Sequence, residues 1–188
     1  MPASIDLCAG YIAQASAAGA SLIVLPENSN RERDYFAGGK PSKELAYERC
    51  EAIDGEFITA IRAVAAEHSI WVAMGVDMRG VDESGNQCVH IAQLLIGRDG
   101  FVHGVHKKHV LWDYEYTLFE PAAAGDPYRV YDTELGRFLG AEWWCEVLMS
   151  ACGQDWIAGL CRWHCSGVCA CGRLHGRSGT AHTAHTDC

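Results

Sequence analysis

The chain has 188 residues, 49% of them hydrophobic, with a formal charge of −9, which fits a soluble globular chain with room for one domain and a real core and excludes disorder as the default. The acidic balance argues against broad binding to nucleic acid or to an anionic membrane. No apolar run approaches the ~20 residues of a membrane span, and the N-terminus lacks the basic-then-apolar order of a secretion signal, so a cytoplasmic protein is expected.

In chain order, SIDLCAGYIAQASAAGA predicts a helix, with Ile5, Cys8, Ile12 and Ala15 at spacings of three and four and Ser4 as its N-cap. SLIVL is too short for a second helix and too continuously apolar for a solvent-facing strand, so it predicts a strand covered on both faces. It runs through Pro26 into Glu27, which places a carboxylate at the carboxyl end of a buried strand, where open α/β sheets bind ligands. KPSKELAYERCEA and GEFITAIRAVAAEHS predict two further helices, broken at Asp54 and Gly55, and IWVAMGVDM predicts the next strand. VHIAQLLIG and FVHGVHKKHVL flank the turn signal Arg98-Asp99-Gly100, and YRVYDTELGRFLG repeats that form around Thr133 to Gly136. Early helices with late hairpins predict an α/β fold on a mixed sheet.

The ten cysteines are unevenly placed: Cys8, Cys50 and Cys88 precede residue 138 and the other seven follow it. From Phe138 onward the periodicities fade and Gly, Cys, Trp and His become frequent. The division expected is a domain over residues 1–150 and a Cys/His/Gly-rich, irregular tail over 151–188.

HKKHVLWDYEYTLFEP, residues 106–121, sets two lysines, an aspartate and two glutamates in an aromatic and apolar context. Together with the helix plus AAGASLIVLPE, and with YRVYDTELGRF, this order of motifs resembles the nitrilase or carbon-nitrogen hydrolase superfamily over roughly residues 4–137, leaning toward its amidase or carbamoylase-like branch. The resemblance implies an αββα sandwich and a catalytic set of glutamate, lysine and cysteine, often with a second glutamate. Carried over singly, Glu27 matches the proton-abstracting glutamate, and Lys108 matches the lysine, with Lys107 in the place of the arginine before it. Glu115 matches the second glutamate ahead of Glu120, and Ala122 stands where the family usually has glycine. Cys145 is the cysteine nearest the expected nucleophile, about two residues late after Arg137 and preceded by Glu142, Trp143 and Trp144.

These residue types belong together chemically. A thiol attacking an amide or nitrile carbon needs a carboxylate to take its proton. A buried ammonium stabilises the charge that develops on the substrate oxygen or nitrogen. A second carboxylate can hold that ammonium charged. The implied activity is hydrolysis of a non-peptide carbon-nitrogen bond in a small amide, nitrile or N-carbamoyl compound through a thioester-type intermediate. No metal or organic cofactor is implied, and a homo-oligomer is expected by resemblance. The chain opens directly in its first helix, without the strand the family places at the sheet's centre, so an incomplete sandwich is expected, and the late cysteine implies little turnover. Two other readings are a catalytically dead scaffold of the same type and a zinc-binding tail built on Cys161, His164, Cys165, Cys169, Cys171 and His175, whose spacing matches no recognised finger.

Overall fold

The structure is a computed structural model in which residues 2–31, 41–126, 128–139, 148–150, 156–157 and 169–172 are described. Helix α1 (Pro2–Ala17) leads into β1 (Ala20–Val24). Helices α2 (Lys43–Arg49) and α3 (Glu56–Glu67) precede β2 (Trp71–Val81), β3 (Gln87–Ile96) and β4 (Val102–Lys107). A single 3-10 turn (Glu115–Thr117) separates these from the hairpin β5 (Val130–Thr133) and β6 (Gly136–Leu139). Three short strands follow, β7 (Leu148–Ser150), β8 (Trp156–Ile157) and β9 (Cys169–Gly172). The main sheet has the order β4-β3-β2-β1-β9, and a second sheet runs β5-β6-β7-β8. β1 pairs parallel to β2, while β2–β3, β3–β4 and β1–β9 are antiparallel. The sheet is therefore mixed, and the fold is α/β, as expected.

Alternation along the strands divides the core between the two faces. Ile23, Val72, Met74, Val76, Ala92, Leu94 and Ile96 pack against Cys8, Ile12 and Ala15 of α1 and Phe57, Ile58, Ile61 and Ala65 of α3. Leu22, Val24, Trp71, Ala73 and Leu95 point the other way, onto Phe138, Tyr131 and Leu135 of the β5–β6 hairpin. Further along that second face, Val89 and Ile91 pack with Ala46 and Cys50 and with Leu111, Leu118 and Phe119 of the loop after β4. β1 is thus covered on both sides, as its continuous apolar run requires.

The helix boundaries depart from the sequence reading where tertiary contacts intervene. α1 begins at Pro2, whose fixed φ suits a first helical turn. Ser4 is inside the helix rather than its N-cap, and its hydroxyl donates to the Arg31 carbonyl at 3.2 Å. α2 is capped by Ser42, which accepts from the Leu45 N–H. It ends at Arg49 because Glu51 is drawn into a bridge with β2, donating to the Asp77 carbonyl (2.9 Å) and accepting from the Arg79 N–H (2.8 Å). The Glu51 side chain then caps α3, accepting from the Phe57 N–H at 2.6 Å. Gly55 makes room for this, since a Cβ there would lie 2.6 Å from the Glu51 carboxyl carbon.

Candidate active site

Past the end of β1, Leu25 still donates to the Ala73 carbonyl of β2 (2.8 Å), and Pro26 accepts from Gly75 (3.1 Å). The chain then turns through Asn28, in the left-handed conformation at φ 59°, which asparagine tolerates better than most residues. Ser29 returns to β2 by donating to the Gly75 carbonyl (2.8 Å), and its hydroxyl donates to the Pro26 carbonyl (2.6 Å). Glu27 sits between these bonds, laid directly over Gly75. A Cβ at position 75 would stand 2.5 Å from the Glu27 Cα, so only glycine allows this approach.

Lys108 is the first residue beyond β4. Its N–H donates to the Ile91 carbonyl (2.8 Å) and its own carbonyl accepts from Ala122 (2.9 Å), so the backbone is fixed from both sides. Its Nζ donates to Glu27 Oε1 at 3.1 Å and to Glu115 Oε1 and Oε2 at 3.2 and 3.0 Å. Glu115 opens the 3-10 turn and also accepts from the Trp112 N–H through Oε2 (2.9 Å). The side chains of Lys108 and Glu115 are 8% and 6% exposed, against 34% for Glu27. Burial pushes the Lys108 ammonium down, but the hydrogen bonds to Glu115 and the charge of Glu27 outweigh it and hold the group above its ordinary value. Lys108 is therefore a fixed cation.

The two carboxylates differ in what remains open to them. Glu115 spends both oxygens on Lys108 and one of them again on Trp112, whereas Glu27 meets Lys108 through one oxygen and is the more exposed. Glu27 is the one placed to exchange a proton with an arriving group, and Glu115 is placed to hold the ammonium.

Three of the four site residues expected from the sequence thus meet within hydrogen-bonding distance. The fourth, Cys145, lies outside the described residues. Glu120 is separate from the cluster and pairs with Lys43 of α2. Lys107, half-buried, is the last residue of β4 and stands opposite Ala92 of β3. Cys8, Cys50 and Cys88 are buried, and burial raises each thiol, Cys8 to about 11. Each is held as a neutral thiol, the poor nucleophile of the pair. Of the tail's possible zinc ligands, Cys161, His164, Cys165 and His175 lie outside the described residues. Among the described residues no group of three or more His, Cys, Asp or Glu side chains is arranged to hold a metal ion, and no helix is long and apolar enough to cross a membrane.

Sequence reasoning missed the residues that support the Glu27 turn. Asp77, fully buried on β2, takes a two-pronged ion pair from Arg31, Nε to Oδ2 at 2.5 Å and Nη2 to Oδ1 at 2.9 Å. Asn30 pairs with the Asp77 backbone as a strand would, its Nδ2 donating to the carbonyl (3.0 Å) and its Oδ1 accepting from the N–H (2.9 Å). The available signals were an aspartate and a glycine inside the apolar strand pattern IWVAMGVDM.

Comparison with known proteins places this geometry in context. The carbon-nitrogen hydrolase family profile matches residues 2–163. A bromoxynil-specific nitrilase of Klebsiella pneumoniae subsp. ozaenae is 28% identical over 148 residues, 72% of this chain and 39% of that protein. A cyanide hydratase of Alternaria brassicicola is 27% identical over 151 residues, 77% of this chain and 40% of its own. The chain therefore spans about two fifths of the length of these relatives. Among solved structures, the Caenorhabditis elegans NitFhit protein superposes with a TM-score of 0.54 at 20% identity, covering 73% of this chain and 33% of that one. An amidase from Nesterenkonia sp. gives 0.54 at 21% identity, covering 73% and 48%. These two likenesses concern the fold.

Proposed function

The chain belongs to the carbon-nitrogen hydrolase family, and from that premise we propose that Glu27, Lys108 and Glu115 form the acid-base and electrophilic part of a hydrolase centre acting on a small amide or nitrile, with Cys145 as nucleophile. The observation that carries this reading is the placement of one buried ammonium within 3.0–3.2 Å of two carboxylates of unequal exposure.

For an amide, Glu27 takes the thiol proton as sulfur bonds to the carbonyl carbon, and the electron pair of the C=O bond moves to oxygen. Lys108 stabilises that oxyanion; as a cation fixed in advance it costs no reorganisation at the moment of reaction. Collapse breaks the C–N bond, and Glu27 returns its proton to the departing amine. Glu27 then takes a proton from water as its oxygen attacks the thioester carbon, and the acid is released with the thiol restored. Glu115 keeps Lys108 charged throughout. N-carbamoyl compounds present the same carbonyl and C–N bond and fall within the same chemistry.

Ammonia release from a panel of small amides and nitriles tests the reading. Slow hydrolysis is expected from the purified 188-residue chain, lost in Glu27→Gln and Cys145→Ala and lowered by ~10²–10³-fold in Lys108→Ala, the usual cost of removing an oxyanion stabiliser. Turnover that survives Glu27→Gln would overturn it.

A further inference from the structure

The two carboxylates that meet Lys108 come from loops far apart in the chain, and one side chain touches the supports of both. Arg31 closes the Glu27 turn, its N–H donating to the Asn28 carbonyl at 2.9 Å. Its guanidinium grips the fully buried Asp77 carboxylate through two nitrogens and lies 5.1 Å from the centre of the Phe119 ring. Phe119 is itself 1% exposed and donates through its backbone to the Glu115 carbonyl at 2.8 Å. The contact path therefore runs Glu27 turn, Arg31, Phe119, Glu115, with Asp77 anchoring the middle to β2.

A planar guanidinium suits this position because it satisfies a carboxylate in its plane and an aromatic ring on its face at once, which a lysine ammonium cannot. The pair is also costly to bury, so each partner depends on the other. We propose that Arg31, held between the Asp77 carboxylate and the Phe119 ring, is a positioning residue that sets the separation of Glu27 and Glu115 about Lys108. This rests on the reading of those three residues as the hydrolase centre, but its test reads the geometry through the ionisation of Lys108 and needs no turnover.

Lys108 is followed by NMR of the full chain labelled at lysine, its signal assigned with Lys108→Arg, through a pH titration of wild type, Arg31→Lys, Phe119→Leu and the double variant Arg31→Met/Asp77→Leu. The double variant removes both charges, so it leaves no unpaired buried carboxylate, and Phe119→Leu keeps the ion pair while removing the ring. Ile61→Val, a core change on the buried face of α3, serves as a destabilised control. The expected result is that Lys108 titrates closer to the ordinary lysine value in all three clamp variants, with Arg31→Lys intermediate, and unchanged in Ile61→Val. Clamp variants that melt at lower temperature yet titrate as wild type would reduce Arg31 to a purely structural role and overturn the proposal. A wild-type Lys108 that titrates as an ordinary lysine would overturn it too. Absence of amide hydrolysis with the expected Lys108 shifts would count against the hydrolase reading alone.

Discussion

At the scale of single residues, the site is governed by which groups are left with something to do. Glu115 is saturated by Lys108 and the Trp112 N–H, whereas Glu27 is partly open and lies where its backbone can pass over β2 only because residue 75 has no side chain. Gly75→Ala is therefore expected to displace Glu27, since the added Cβ would meet backbone at 2.5 Å rather than a flexible side-chain end. Misplacement of about 1 Å is enough for a ~10²-fold loss of turnover, and ammonia-release kinetics on folded Gly75→Ala protein check this. Cys8→Ala and Cys88→Ala, by contrast, are expected to leave turnover in place, because both are buried neutral thiols. Glu27 was legible from a carboxylate following a buried apolar run. Lys108 and Glu115 were legible only through the resemblance of their motif, because paired lysines and loop glutamates are ordinarily solvated. Arg31 and Asp77 were not legible as a pair: 46 residues separate them, and the apolar context around Asp77 hides a buried charge that only the fold can satisfy.

At the scale of elements, the strands followed their sequence pattern more closely than the helices did. SLIVL is a continuous apolar run that needs cover on both faces, and it received it from α1 and α3 on one side and from the β5–β6 hairpin on the other. Helix ends shifted because partners distant in sequence claimed their terminal groups. Ser4 serves Arg31 instead of a cap, and Glu51 leaves the run of α2 to bridge β2 and cap α3. The α3 N-cap residue is Gly55, which has no side chain to offer, so the Glu51 carboxylate supplies what a serine or aspartate usually would. Glu51→Ala is expected to cost about 1–2 kcal/mol, the range for loss of an N-cap. Denaturant melts check this, with the midpoint falling and the slope unchanged. A midpoint within error of wild type would mean that the 2.6 Å bond to Phe57 contributes nothing to stability.

At the scale of the whole molecule, the buried ionisable groups set a pH window. Burial pushes His90 below its ordinary 6.5, so its contribution is present above that value and lost as pH falls through the folded-state pKa, because the unfolded chain binds the proton first. Burial pushes Cys8 up from 9.0 to about 11, so its contribution is present below pH 9 and lost as pH rises toward 11, because the unfolded chain releases the proton first. Stability is expected to be greatest between about pH 6.5 and 9, and the alkaline fall is expected to flatten in Cys8→Ala, read by thermal melts across pH. On that scale, loops from two distant parts of one sheet bring Glu27 and Glu115 to Lys108, and the proposed role of this centre is to activate Cys145. Covalent labelling tests it most directly: the full chain is treated with a small α,β-unsaturated amide, and the labelled cysteine is mapped by mass spectrometry in wild type, Glu27→Gln and Lys108→Ala. An adduct at Cys145 is expected in wild type and strongly reduced in both variants, with Cys8, Cys50 and Cys88 unlabelled in the folded protein. Labelling at Cys145 that is indifferent to Glu27→Gln and Lys108→Ala, or labelling that favours Cys8, Cys50 or Cys88, would contradict it.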